Sequence, residues 1–69
     1  MKKYRIRITH PIDGESVYEG WGTSAVDALC NVDLPFMTGG VWLKTGRTWY
    51  TRDIFSDVQV SASVNALRR

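Results

Sequence analysis

Few side chains in this 69-residue sequence are of types that do chemistry. Its single cysteine, Cys30, and single histidine, His10, are the kinds of group that make a nucleophile and its base. Together they fall short of the four ligands a zinc site needs. Asp13 and Glu15 flank Gly14 and read as turn formers, not as an acid–base pair. Gly20-x-Gly22 and Gly39-Gly40 lack the spacing of a phosphate-binding loop. No catalytic residue, metal ligand or cofactor site is therefore expected. Binding chemistry is better represented. Arg5 and Arg7, with Tyr18, and Lys44 and Arg47, with Trp42 and Trp49, interleave cations with aromatic rings, the pairing that contacts phosphates and stacks bases. Phe36 and Met37, in Leu34-Pro35-Phe36-Met37, are adaptable apolar groups of the kind enriched at protein interfaces.

One helix and five strands must position these groups. Thr23–Asn31 reads as the helix, with Ser24 as N-cap and Asp27 at capping-box spacing and near the positive helix end. Val26, Leu29 and Cys30 share a face at i, i+3 and i+4, while Ala25 and Ala28 permit close approach. Pro35 forbids a long continuation. Two turns do not hold together alone in water, so the apolar face must lie on a sheet. Cys30 is then a core thiol.

Lys3–Thr9 alternates cleanly, with Tyr4, Ile6 and Ile8 on one side and Lys3, Arg5, Arg7 and Thr9 on the other. His10–Glu15 is a turn, in which His10 is expected as a solvated loop residue. Ser16–Trp21 is the return strand. Closure tightly at Asp13-Gly14, or loosely around residues 10–15, gives the same parity, with Val17 and Trp21 inside with Ile6 and Ile8, Tyr18 outside beside Arg7, and Glu19 inside at a cost. Leu34–Gly40 either folds down to cap the core or presents an anchor to another protein. Val41–Lys44 and Arg47–Thr51 form a second hairpin around Thr45-Gly46, which makes Trp42 and Trp49 direct cross-strand neighbours. Val41, Leu43 and Tyr50 line its opposite face.

Asp53–Ser56 bends. Val58, Val60, Ala62 and Val64 then alternate with Gln59, Ser61 and Ser63 as a fifth strand, and Asn65–Arg69 is a basic tail expected to fray. The fold class is α+β: a small antiparallel sheet of two hairpins plus a fifth strand, in the order ββαβββ, packed on one short helix. A single domain spans residues 1–69.

Charge is segregated along the chain. The net charge of +2 arises from −5 between Ile8 and Leu43 and +7 outside it, where nine basic residues meet only Asp53 and Asp57. If the terminal strands are neighbours, the molecule has a basic and an acidic side. One cysteine excludes an internal disulfide, and eight aromatics compensate for a core near the lower size limit. No apolar run approaches a membrane span, and Met1-Lys-Lys starts a strand, not a leader, so a cytoplasmic protein is expected.

Two non-enzymatic functions follow. One is protein binding, to a host complex or to a second copy, through the Trp42/Trp49 face and the Leu34–Met37 loop. The runner-up is a small basic nucleic-acid-binding domain. The layout Met-Lys-Lys-Tyr-Arg-Ile-Arg-Ile, a turn at Asp13-Gly14, a short Ser24–Leu29 helix and a Gly-Trp hairpin resembles small phage or prophage proteins. Among these it is similar to the compact α+β anti-CRISPR proteins, which bind CRISPR effector complexes and block DNA recognition. The resemblance implies a non-enzymatic inhibitor acting by occlusion in the bacterial cytoplasm. The basic ends argue against the acidic subtype that imitates DNA.

Overall fold

The computed structural model describes residues 1–67. It has the expected α+β order: β1 (Lys2–His10), β2 (Gly14–Gly22), α1 (Ala25–Asn31), β3 (Leu43–Thr45), β4 (Thr48–Asp53) and β5 (Val58–Ala66). The five strands make one antiparallel sheet in the order β2-β1-β5-β4-β3. The two terminal strands, β1 and β5, are thus neighbours, and β5 lies at the centre. One face of the sheet carries the core: Tyr4, Ile6 and Ile8 of β1 and Val60 and Ala62 of β5, closed over by Ala28, Leu29 and Trp42.

The helix starts as its sequence dictates. The Ser24 hydroxyl accepts the Asp27 N–H at 3.3 Å, and the Asp27 carboxylate accepts the Thr23 N–H at 2.8 Å. Its buried side differs from expectation. Ala28 and Leu29 are buried and Ala25 and Val32 pack beside them, whereas Val26 and Cys30 are exposed. Gly22 causes the rotation. A Cβ there would lie 2.4 Å from the Ala28 nitrogen, so the helix backbone rests directly on β2 with its alanines inward. Cys30 is therefore not a core thiol, and native labelling by a thiol reagent is expected to be fast. Gly22→Ala should destabilise by about 1–3 kcal/mol. Gly20→Ala is the control, because its Cβ would meet Ala28 no closer than 3.6 Å. Equal urea midpoints for the two variants would show that the helix does not need this approach.

Both hairpins close in registers other than those expected. In the first, Pro11–Asp13 is a three-residue loop, and Gly14 enters the sheet at φ +87° opposite His10. One residue fewer or more flips every side chain. Tyr18 therefore faces inward opposite Ile6, while Val17 and Trp21 face outward opposite Arg7 and Lys3. Glu19 also turns outward, where it meets Lys3 at 3.1 Å and Arg5 at 4.0 Å. The buried carboxylate of the expected register does not exist.

In the second hairpin the turn is Gly46–Arg47, with Gly46 at φ +62° in the first central position that a type II′ turn reserves for glycine. The two-residue shift keeps the faces but changes partners. Trp49 now opposes Lys44, whose ammonium lies 5.6 Å from the indole centroid. Trp42 is not its cross-strand neighbour. The C-terminal segment is also better held than expected. Asn65 and Ala66 pair with Arg5 and Tyr4, and the Leu67 N–H donates to the Lys3 carbonyl at 2.8 Å. Arg68 and Arg69, also assigned to a frayed tail, lie outside the described residues.

Candidate binding surface

The residues expected to bind a partner divide into three sets. Trp42 is only 9% exposed and belongs to the core, with Tyr18 and Trp49 packed against it. The sheet face bearing Trp42 and Trp49 is the one already covered by α1 and the Leu34–Gly40 connection. It is not the unmatched face, and Tyr18 is not beside Arg7 on a stacking surface. Lys44 shields Trp49, and Arg47 projects from its turn. Arg5 and Arg7 stand on the opposite, open face of the sheet, with Glu15 reaching Arg7 at 3.6 Å. Phe36 and Met37 form the third set, at the end of the sheet where β4 finishes and β5 starts.

That end also holds a buried clamp that no pattern in the sequence indicates. His10 is 4% exposed, not solvated, and its Nε2 lies 2.9 Å from Asp53 Oδ2. Its Nδ1 accepts the N–H groups of Ile12 and Asp13 at 3.1 and 3.2 Å, so Nδ1 carries no proton and Nε2 donates to the carboxylate. The second oxygen of Asp53 accepts the N–H groups of Phe55 and Ser56. One imidazole and one carboxylate thus tie the β1–β2 loop to the β4–β5 loop. The hydrogen bond from His10 holds the Asp53 pKa down, to about 2, assisted by the Phe55 and Ser56 N–H groups against the opposing effect of burial. Phe36 packs its ring edge-on to His10 at 5.4 Å, and the Met37 carbonyl accepts the Ile54 N–H at 3.0 Å.

The arrangement resembles half of a catalytic triad but is built otherwise. Both imidazole nitrogens are occupied, and the ring is closed off from solvent, so it presents no lone pair to a substrate. Among the described residues no group of three or more His, Cys, Asp or Glu is placed to hold a metal, and no helix is long and apolar enough to cross a membrane.

What the clamp does organise is exposed apolar surface. Leu34, Pro35, Phe36, Met37 and Phe55 line one groove of about 400 Å³, and Phe55 itself is 79% exposed. The neighbouring residue, Ile54, lines a second groove of about 310 Å³ on the open sheet face with Val41, Leu43 and Tyr50. Val41 is 59% and Leu43 66% exposed. Ile54 and Phe55 join the two grooves into one apolar belt around the β3–β4 edge. The sequence indicated its Val41–Leu43–Tyr50 part through alternation. Phe55 escaped because a single aromatic in a bend has no periodicity to place it.

Comparison with known proteins finds no matching family model, no matching curated protein and no matching solved structure. The reading of function therefore rests on the surface itself.

Proposed function

We propose that this chain is a non-enzymatic protein-binding domain that seats the belt of Met37, Val41, Leu43, Ile54 and Phe55 on a partner and blocks that partner by occlusion. The observation that carries the reading is the belt. Five large apolar side chains at least half exposed are gathered at one edge of a 69-residue domain, although single exposed hydrophobics are normally scattered. Burying on the order of 300 Å² of it would supply roughly 7 kcal/mol of gross drive at about 25 cal/mol per Å². The clamp behind it fixes the loops in advance, which lowers the entropy lost on binding. The resemblance in layout to anti-CRISPR proteins makes a CRISPR effector ribonucleoprotein of a bacterial host the partner to try first, with a phage or mobile element as the source.

The test uses purified effector complexes and two exposed substitutions, Leu43→Asn and Phe55→Ser. The parent is expected to hold an effector and prevent its binding to target DNA at one-to-one stoichiometry. The double variant should lose at least about 100-fold in affinity, while its melt stays near the parent's because neither residue is in the core. Retained inhibition by the double variant would remove the belt from the mechanism. A parent that is dimeric by light scattering, with a monomeric double variant, would assign the belt to self-association instead.

A further inference from the structure

We infer that the open face of the sheet carries a second site, which takes the phosphates of a single-stranded nucleic acid at Arg5 and Arg7. Its arginines lie on β1, away from the apolar belt, and the two surfaces meet only at Tyr50 and Gln59. Arg5 and Arg7 stand at i and i+2 on β1, about 6.8 Å apart, a step suited to successive phosphates of an extended strand. Their register partners on β5 are Asn65 and Ser63, and these four side chains line one groove of about 320 Å³. Towards β5 the guanidiniums thus face a carboxamide and a hydroxyl, not a carboxylate.

The carboxylates lie on the other flank and hold the arginines weakly. Glu19 is shared, at 3.1 Å from Lys3 but 4.0 Å from Arg5, and Glu15 stands 3.6 Å from Arg7. Exposed pairs of this kind contribute little in water, and a phosphate offers Arg a bidentate alternative.

The strands beyond β1 provide the rest of a nucleotide site. Gln59, Ser61, Ser63 and Asn65 make the whole outward side of central β5 small and polar, with donors and acceptors for base edges. Ser61 in turn opposes Tyr50 of β4, a partly exposed ring on the same face. Tyr50 is level with Thr9, so it stands two strand spacings across and two residues along from Arg7, about 12 Å backbone to backbone, a span for a nucleotide lying obliquely with its phosphate at Arg7 and its base towards Tyr50. This face replaces the stacking platforms expected from Tyr18, Trp42 and Trp49, all of which point the other way. An acidic protein segment would also answer the arginines but gains nothing from an aromatic ring across a polar strand.

Fluorescent oligothymidylate about ten nucleotides long, titrated over a range of salt, tests the site in the full chain. Two phosphate contacts predict a slope of log Kobs against log salt near −1.4, because each contributes about −0.7 on a single strand. Arg7→Gln should weaken binding about 3–10-fold and reduce the slope by about 0.7, as should Arg5→Gln. Tyr50→Leu should weaken binding at least fivefold with the slope unchanged. The Ser63 and Asn65 amides should shift in nuclear magnetic resonance spectra of the titrated parent. Phe55→Ser, in the groove of the belt that does not include Tyr50, should leave all of this intact, which separates this site from that part of the belt. Polyglutamate of equal charge should bind more weakly than the oligonucleotide. The inference is overturned if polyglutamate binds equally well, if oligothymidylate fails to bind at low salt, or if the Arg5 and Arg7 variants keep the parent's affinity and slope.

Discussion

Leu29→Ala is expected to destabilise the domain by about 2–5 kcal/mol, a large share of the stability available to a chain of this size. Leu29 is 1% exposed and is the only large side chain that the helix itself sends into the core, since its other buried residue is Ala28. The cavity left by truncation cannot close readily. The helix is already seated on Gly22, and moving it deeper would drive the Ala28 backbone into β2. Seven residues of helix also have no stability of their own with which to tolerate the loss. Thermal melts should fall by more than about 10 °C, at roughly 4–8 °C per kcal/mol for a small domain. Cys30→Ala, one residue on but exposed, should stay within about 0.5 kcal/mol of the parent. Equal melts for Leu29→Ala and the parent would mean that the helix does not organise the sheet.

The comparison of Leu29 with Cys30 shows which parts of this fold were legible in the sequence. Alternation along Lys3–Thr9 and Val58–Val64 located two strands and their core sides, because period two is written directly in the residues. The capping residues Ser24 and Asp27 likewise fixed where the helix begins. Facing was harder where it depended on a neighbour. The apolar triad Val26, Leu29 and Cys30 satisfied helical spacing, yet the missing Cβ of Gly22 selected the smaller alanine side. Hairpin registers turned on single backbone conformations at Gly14 and Gly46, and local sequence allowed more than one closure. The consequence for the site was large. A slip by an odd number of residues carried Tyr18 from the open face to the core, and the Trp42/Trp49 surface proved to be interior. Arg5 and Arg7 kept their place because they belong to the clearest strand. His10 and Asp53 could not be paired from sequence, since 43 residues separate them and each alone is an ordinary turn residue.

That pair supports a prediction in acid. Asp53 has its pKa lowered from 3.8 to about 2, chiefly by the hydrogen bond from His10. A carboxyl group with a depressed folded-state pKa contributes stability that is fully present above the unfolded value and is lost as pH falls through the folded one. The parent should therefore lose urea resistance progressively between about pH 4 and pH 2 as Asp53 takes up a proton. Asp53→Asn removes the titrating group, so its curve should be lower at neutral pH and flatter over this window. The carboxamide oxygen can still accept from His10 or from the Phe55 and Ser56 N–H groups, but it cannot replace both carboxylate oxygens at once. Local exchange should report the same event. The Phe55 and Ser56 amides, bonded to Asp53, and the Ile12 and Asp13 amides, bonded to His10, should exchange much faster in Asp53→Asn, with β1 less affected. Since these loops carry Phe55 and brace Phe36, partner affinity should fall in this variant although Asp53 itself is buried away from any partner. Parallel acid curves for variant and parent, with equal protection of the four amides, would reduce the His10–Asp53 pair to an incidental contact. A steeper parent curve with selective loss of those amides would establish it as the brace that holds the belt in its binding shape.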